Sequence, residues 1–365
     1  MHYIGVDLHK KTISVCVVIE AGRQSKVVAR TTLRCDMPEK IRAFFEKFPG
    51  FQVAVEATAS YEWFVQLIES LAERVILVHP KKLRIIAESV CKTDKIDAYI
   101  IADLLRIGRL PEASRPTPRQ REHRALVRLR CYVQRRITSV KNKIRFVLAD
   151  YNADRQSLFT EAGKEYLDQV KISASDRFVV EQLWTELEQH RERLQAANRR
   201  LREFAAAAPT TELEAREVLA TMPQAGPVTV DVIVSELGDI RRFRSAKKAT
   251  SYAGLVPGER SSGGRTKQLG ITKEGSRLLR WALIQWARRV VRHSRRWGSI
   301  YETLTVRTGE EKKAIVAVAR RLLCVAVSML RSGQRYRYAA DEIPAGTTAS
   351  KGKARRSSRP AKKAE

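Results

Sequence analysis

His2-Tyr3-Ile4-Gly5-Val6-Asp7 opens the chain as a short buried strand that stops at an acid. Ile13 to Ile19 is a second apolar strand after the polar turn His9-Lys10-Lys11, and Lys26 to Leu33 forms a third after Gly22. Three strands joined by tight turns predict an antiparallel meander. Asp36-Met37-Pro38-Glu39 then supplies an N-cap, a proline in the first turn and an acid at the third helical position, so a helix is expected to run to about Phe48. Phe51 to Val55 is an apolar strand ending in Glu56. A helix from Ser60 to about Ala72, a strand from Val75 to Val78 stopped by His79-Pro80, and a helix from Lys81 to Ser89 follow.

That order is the one of an RNase H-like α/β domain, and its acids matter more than its strand count. Asp7 ends the first strand and Glu56 the fourth. Lys92-Thr93-Asp94-Lys95-Ile96-Asp97 adds two carboxylates three positions apart, ahead of a run with helical apolar spacing: Ile96, Ile100, Ile101, Leu104 and Leu105. Acids at the ends of neighbouring strands, with two more on a helix packed against them, can converge on one point, where they stay ionised only beside cations. Two Mg2+ ions held there clamp the attacking and leaving oxygens of a phosphodiester in line. Read singly, each acid has a simpler account: Asp7 and Glu56 at strand exits, Asp94 capping a helix, and Asp97 answering its dipole.

The 365 residues carry 69 Lys+Arg against 40 Asp+Glu, a formal charge of +29. An excess that large attracts polyanions, and the usual polyanion is nucleic acid. No apolar run approaches a membrane span, and the chain begins on a strand rather than a signal peptide, so a cytosolic protein with no membrane partner is expected. Cys16, Cys35, Cys91, Cys131 and Cys324 are odd in number, scattered and without a CxxC pair, which supports neither a disulfide framework nor a zinc site.

Arg115-Pro116-Thr117-Pro118 is a stiff linker that closes a first domain over 1–114. From Arg119 to about Tyr151, Leu126, Leu129, Val133, Ile137, Val140, Ile144 and Val147 recur at spacings of three and four, a coiled-coil seam with arginines and lysines on the other faces. A second long helix fits Ser175 to Ala208. The pair predicts a basic coiled-coil region over 115–209 that joins chains into a homodimer or homotetramer. An intramolecular hairpin is the competing account.

A mainly α C-terminal domain is expected over 210–335. Leu219-Ala220-Thr221-Met222-Pro223-Gln224-Ala225-Gly226-Pro227 resembles a helix-hairpin-helix turn whose amides can hold a phosphate; the plainer account is one helix broken and another begun. Gly254-Leu255-Val256-Pro257-Gly258-Glu259-Arg260-Ser261-Ser262-Gly263-Gly264-Arg265 places serines among glycines and arginines in a mobile loop, where a hydroxyl can approach a phosphate. Most such segments are only flexible loops. Helices are expected from Ser276 to His293 and from Lys312 to Arg331, with Trp281 and Trp286 in the core. The end, 336–365, reads as a disordered basic tail that adds salt-dependent affinity.

Tyr3-Ile4-Gly5-Val6-Asp7, Val55-Glu56-Ala57-Thr58 and Lys92-Thr93-Asp94-Lys95-Ile96-Asp97-Ala98 together resemble the DEDD transposases of bacterial insertion sequences, whose N-terminal domain is RuvC-like. Gly254-Leu255-Val256-Pro257, Ser262-Gly263, Ile271-Thr272-Lys273-Glu274-Gly275 and Leu278-Leu279-Arg280 resemble that family's C-terminal transposase domain. Where the family often has Gly after the Ala-Thr, this chain has Ala59-Ser60. By the resemblance, Asp7, Glu56, Asp94 and Asp97 match the metal-binding quartet, and Ser262, with Ser261 as fallback, matches the covalent nucleophile. The best-understood branch of the family consists of bridge-RNA-guided recombinases, so a structured guide RNA is implied beside donor and target DNA.

The expected protein is a DNA transposase that cuts and rejoins strands through a phosphoserine with Mg2+, at a site built from both domains. Two rivals stand beside it: a RuvC-like nuclease or junction resolvase that uses water, and a nonenzymatic nucleic-acid scaffold.

Overall fold

Side-chain alternation sets which way the first strand faces. The computed structural model describes residues 1–57, 60–86, 94–262 and 265–338. In it β1 (His2–Leu8) turns Ile4, Val6 and Leu8 into one hydrophobic cluster and places Tyr3, Gly5 and Asp7 on the opposite face. β2 (Thr12–Ala21) and β3 (Gln24–Arg34) continue as the expected antiparallel meander. On the other side of β1, β4 (Phe51–Glu56) and then β5 (Ala72–Val78) pair in parallel. A two-residue antiparallel edge, β6 (Glu112–Ala113), completes a mixed sheet of order β3-β2-β1-β4-β5-β6.

Parallel neighbours need crossovers, and these are α1 (Pro38–Phe45) and α2 (Tyr61–Ile68). Their Ile41, Phe45, Phe64, Val65 and Ile68 cover the Ile4 face. Asp36 does not cap α1: Met37 holds that position without a side-chain bond, and the Asp36 carboxylate accepts from Arg34 Nε at 3.0 Å instead.

The opposite face is covered by α4 (Asp94–Arg106), which follows α3 (Pro80–Ile86). Ala98 and Ala102 pack with Cys16 and Val18, while Ile101 and Leu105 pack with Ala54, Ile76 and Val78. A Cβ on Gly5 would lie 2.0 Å from the Ala98 carbonyl oxygen and 2.4 Å from the Ala102 nitrogen, so only glycine lets this helix sit so close to β1. The expected end of the preceding helix at Ser89 lies outside the described residues.

Residues Met1–Arg115 form one compact unit and the remainder a second. At the end of the first, the Arg115 guanidinium grips Glu62 and Glu69 of that unit, each at 2.6 Å.

In the second unit, α5 (Pro118–Ala149) is capped by Thr117, whose hydroxyl accepts from Gln120 N at 3.1 Å. It runs antiparallel to α7 (Ala174–Ala206), with α6 (Glu161–Gln169) between them in sequence. The sense follows from Arg119 on the Phe204 carbonyl at 2.9 Å, Arg136 on Glu186 at 3.0 Å and Tyr151 on Asp176 at 2.5 Å. Val133, Ile137, Val140, Ile144 and Leu148 bury against Val180 and Leu187. The chain's own helix therefore covers the seam expected to face a partner chain, as in the competing hairpin account. Leu129, assigned to that seam, is 52% exposed.

The remaining elements are α8 (Thr210–Ala220), α9 (Pro227–Leu237), a 3-10 turn (Ile240–Arg242), α10 (Ala246–Tyr252), the hairpin β7 (Pro257–Ser262) and β8 (Arg265–Ile271), α11 (Arg277–His293), α12 (Arg295–Thr308) and α13 (Glu311–Ser332). Trp286 is fully buried in their core, which also takes in Val127 and Cys131 of α5 and Leu201 of α7. Trp281 is not a core residue: it is 44% exposed. Cys16, Cys35, Cys131 and Cys324 are free thiols. No described helix is long and apolar enough to cross a membrane. Cys91, Ala59 and the basic tail from 339 onward lie outside the described residues.

Candidate active site

β1 and β4 are parallel and in register through Val6 and Val55. The next residues, Asp7, one short of the end of β1, and Glu56, the last of β4, therefore lie at the same end of the sheet. Alternation puts them on the face of Gly5 and Ala54, the face that α4 covers. Asp7 is 6% exposed, and His9 Nε2 stands 3.1 Å from its Oδ2. A buried carboxylate needs such a partner. In the sequence His9 reads as part of a polar turn, and its place two residues beyond Asp7 is the signal for this contact.

Asp97 is half-buried on α4, directly before the Ala98 that meets Gly5. Asp94 is the first residue of the same helix; its side chain lies outside the described ones. Among the described residues, no three His, Cys, Asp or Glu side chains group closely enough to hold a metal ion together. The structure thus brings Asp7 and Glu56 to one strand end beneath α4, and the described side chains do not by themselves make up a complete ligand set. The donor chemistry suits a hard divalent cation, since every candidate ligand is a carboxylate.

In the second unit, β7 ends at Ser262, paired with Arg265, and Ser261 pairs with Thr266. The serine stands at the end of a strand pair rather than in the expected loop. The signal was present, because two glycines between strand-like runs are a hairpin pattern. Residues 263–264 and the side chains of 260–268 lie outside the described ones. The base of the hairpin is clamped by Thr272 N on the Val256 carbonyl at 2.9 Å and Lys273 N on the Gly254 carbonyl at 3.2 Å. Gly254 and Gly275 have φ of +65° and +76°, and a Cβ on Gly275 would lie 1.9 Å from the Tyr252 carbonyl oxygen. Arg280 donates to the Ala253 carbonyl at 3.1 Å. Much of the second motif set is therefore the mounting of the hairpin.

The turn between α8 and α9 uses most of its amides internally and leaves those of Gln224 and, at the start of α9, Val228. The N–H groups of Ala225, Gly226, Thr229 and Val230 are bonded within the turn, and Pro227 has none. A buried polar network lies nearby that sequence reasoning missed. His123 Nε2 is 3.0 Å from Asp231 Oδ1, which also accepts from Arg216 at 2.7 Å. Burial opposes ionisation of Asp231, but the bonds and charges of His123 and Arg216 outweigh it and hold the carboxyl below its ordinary range.

Comparison with known proteins decides the family. Residues 4–153 match the DEDD_Tnp_IS110 transposase family, and residues 216–302 match the Transposase IS116/IS110/IS902 family. The chain belongs to this transposase family. The first match spans Asp7, Glu56, Asp94 and Asp97 of the transposase, and the second spans Ser261 and Ser262. It is 28% identical over 299 residues to a probable family 20 transposase of Pseudomonas aeruginosa, covering 79% of this chain and 84% of the relative. It is 24% identical over 345 residues to the transposase for insertion sequence element IS1111A of Coxiella burnetii, covering 92% and 91%. It is 25% identical, also over 345 residues, to the pilin gene-inverting protein of Moraxella bovis, covering 92% and 97%. As a transposase it is a DNA-cutting and rejoining enzyme.

Proposed function

We propose that this transposase exchanges DNA strands through a phosphoserine at Ser262, with Mg2+ held by Asp7, Glu56, Asp94 and Asp97. The observation that carries the reading is the placement of Asp7 and Glu56 on one face, at the same end of adjacent parallel strands, under the helix that bears the other two acids. When bound, Mg2+ neutralises charge on the attacking and leaving oxygens of the phosphodiester.

Ser262 Oγ attacks phosphorus. The Oγ–P bond forms as the bond from phosphorus to one strand oxygen breaks, the serine proton passes to a base, and the departing oxygen takes up a proton. A hydroxyl of another strand then attacks the ester and releases the serine, so rejoining needs no external energy. His9, beside Asp7, orients that carboxylate. The arginines around the hairpin, Arg260 and Arg265, neutralise phosphate charge. A structured guide RNA and a homodimer or homotetramer belong to the same reading. The RNA is supported by the resemblance and the +29 charge; because the α5 seam is covered within the chain, assembly uses another surface. The similarity to a pilin gene-inverting protein fits this chemistry, since inversion and transposition differ in how the joined ends are arranged.

The test is covalent trapping. Protein with its co-purifying RNA is incubated with donor and target DNA and Mg2+, and the products are resolved on a denaturing gel. A protein-DNA adduct is expected from wild type and Ser261→Ala and absent from Ser262→Ala and Asp7→Asn. Free cleaved DNA from Ser262→Ala would mean a metal nuclease that uses water.

A further inference from the structure

One face of α11 buries Leu279, Ala282, Leu283, Trp286, Ala287 and Val290. Away from it Arg277, Trp281, Gln285 and Arg289 follow one another at intervals of four, which makes them a single ridge. An indole ring 44% exposed within such a ridge leaves a large apolar face available to a ligand. Beside the ring is a cavity of about 530 Å³, bounded by Arg130 of α5, Gln224 and Thr229 of the α8–α9 segment, and Trp281, Gln285 and Arg289 of α11.

The walls are preformed. Trp286 Nε1 donates to the Pro223 carbonyl at 2.8 Å and pins the turn to α11. Arg289 is anchored on Thr229 Oγ1 at 2.9 Å and Arg130 on Asn198 Oδ1 at 3.2 Å, which fixes two five-donor forks at the cavity. No carboxylate is among the described residues that line it. Most of the turn's N–H groups are bonded within the turn, so the charged donors to an anion there are these two guanidinium groups.

A flat aromatic face, two guanidinium groups and the amides of Gln224 and Gln285 match the three parts of a nucleotide: base plane, phosphate and base edge. We propose that this cavity seats an unpaired nucleotide of the DNA strand being exchanged, its base stacked on Trp281 and its phosphate on Arg130 and Arg289. A base paired and stacked in a duplex cannot present its face to a tryptophan, so the site selects a strand that has been opened. The inference rests on the DNA strand-exchange reading, since cutting and exchange are what open the strand.

The test uses the full-length protein with a fluorescein-labelled 15-nucleotide single-stranded DNA, a duplex of the same length and an RNA of the same sequence, with binding followed by anisotropy. Trp281→Ala is expected to weaken single-stranded DNA binding about 5- to 150-fold, to leave duplex binding unchanged, and to be largely rescued by Trp281→Phe. Arg289→Ala is expected to flatten the dependence of log affinity on log salt by about 0.7, a slope that Trp281→Ala leaves alone. Equal loss on single strand and duplex, no loss, or loss confined to the RNA would overturn the pocket. Wild-type protein that binds no DNA would overturn the strand-exchange reading itself, whereas binding indifferent to Trp281 would overturn only the pocket.

Discussion

At the scale of single residues, Asp231 is a buried carboxylate of the second unit held by two partners. Its side chain is 10% exposed and takes bonds from both His123 and Arg216, while Glu212 is shared by Arg119 and Arg216. Both carboxyls are held below their ordinary range in the fold: burial opposes ionisation, and the arginine and histidine partners outweigh it. A group depressed in this way contributes stability that is present above its unfolded pKa and lost as pH falls through the folded one. The thermal midpoint is therefore expected to fall below about pH 4, and Asp231→Asn should blunt that acid limb. At neutral pH the substitution should cost about 3–5 kcal/mol, because it takes a carboxylate from the largely buried Arg216 guanidinium. Calorimetry of both proteins across pH 3 to 7 checks this; an unchanged acid limb in the variant would refute it. The place of His123 in this network could not be read from the chain, where it is 93 residues from Arg216 and 108 from Asp231. Asp7 and Glu56 could be read, because alternation and strand ends are local patterns. The partnership of Asp7 with His9 is equally local, but a histidine in a polar turn has an ordinary account that hides it.

At the scale of elements, lengths and types were legible where a period ran long enough. β1 to β5 and the long α5 and α7 follow their apolar patterns, whereas β6 has two residues and no pattern to read. Partner choice was not legible, since a heptad gives a helix an apolar stripe without saying whose helix covers it. At its ends the stripe takes in Leu148 beside Val147 and leaves Leu129 in solvent. Trp281 failed for a related reason: helical spacing places it on the polar face with Arg277 and Arg289, and its hydrophobicity argued the other way. An intrachain seam makes a distinct prediction. Ile144→Ala empties a fully buried position and should cost about 2–5 kcal/mol by chemical denaturation. The mass in solution by light scattering should stay the same, because no second chain is lost from that surface; a change in mass would place the seam between chains.

At the scale of the whole molecule, charge and chemistry are separable. Of the +29, the last 27 residues supply seven cations, Lys351, Lys353, Arg355, Arg356, Arg359, Lys362 and Lys363, against three acids. Cations clustered in one segment act on phosphate as a sequence-indifferent attraction. The acids at the sheet end and the serine hairpin lie wholly upstream of it, as do both family matches. A chain ending at residue 338 should therefore bind random duplex DNA more weakly at low salt. Its log affinity should fall less steeply with log salt, by about 0.9 for each phosphate contact removed. The two chains should converge as salt is raised, because the lost affinity is counterion release. Adduct formation through Ser262 should persist once DNA is saturating, since the attack needs the folded units and not the attraction that gathers DNA to them. Titrations from 50 to 300 mM salt, run beside the trapping gel, measure both quantities on one preparation. A truncated chain with the full salt slope would place the electrostatic footprint on the helices instead, on the arginines of α5 and α11. A truncated chain that binds DNA at saturation and forms no adduct would make the tail part of the reaction.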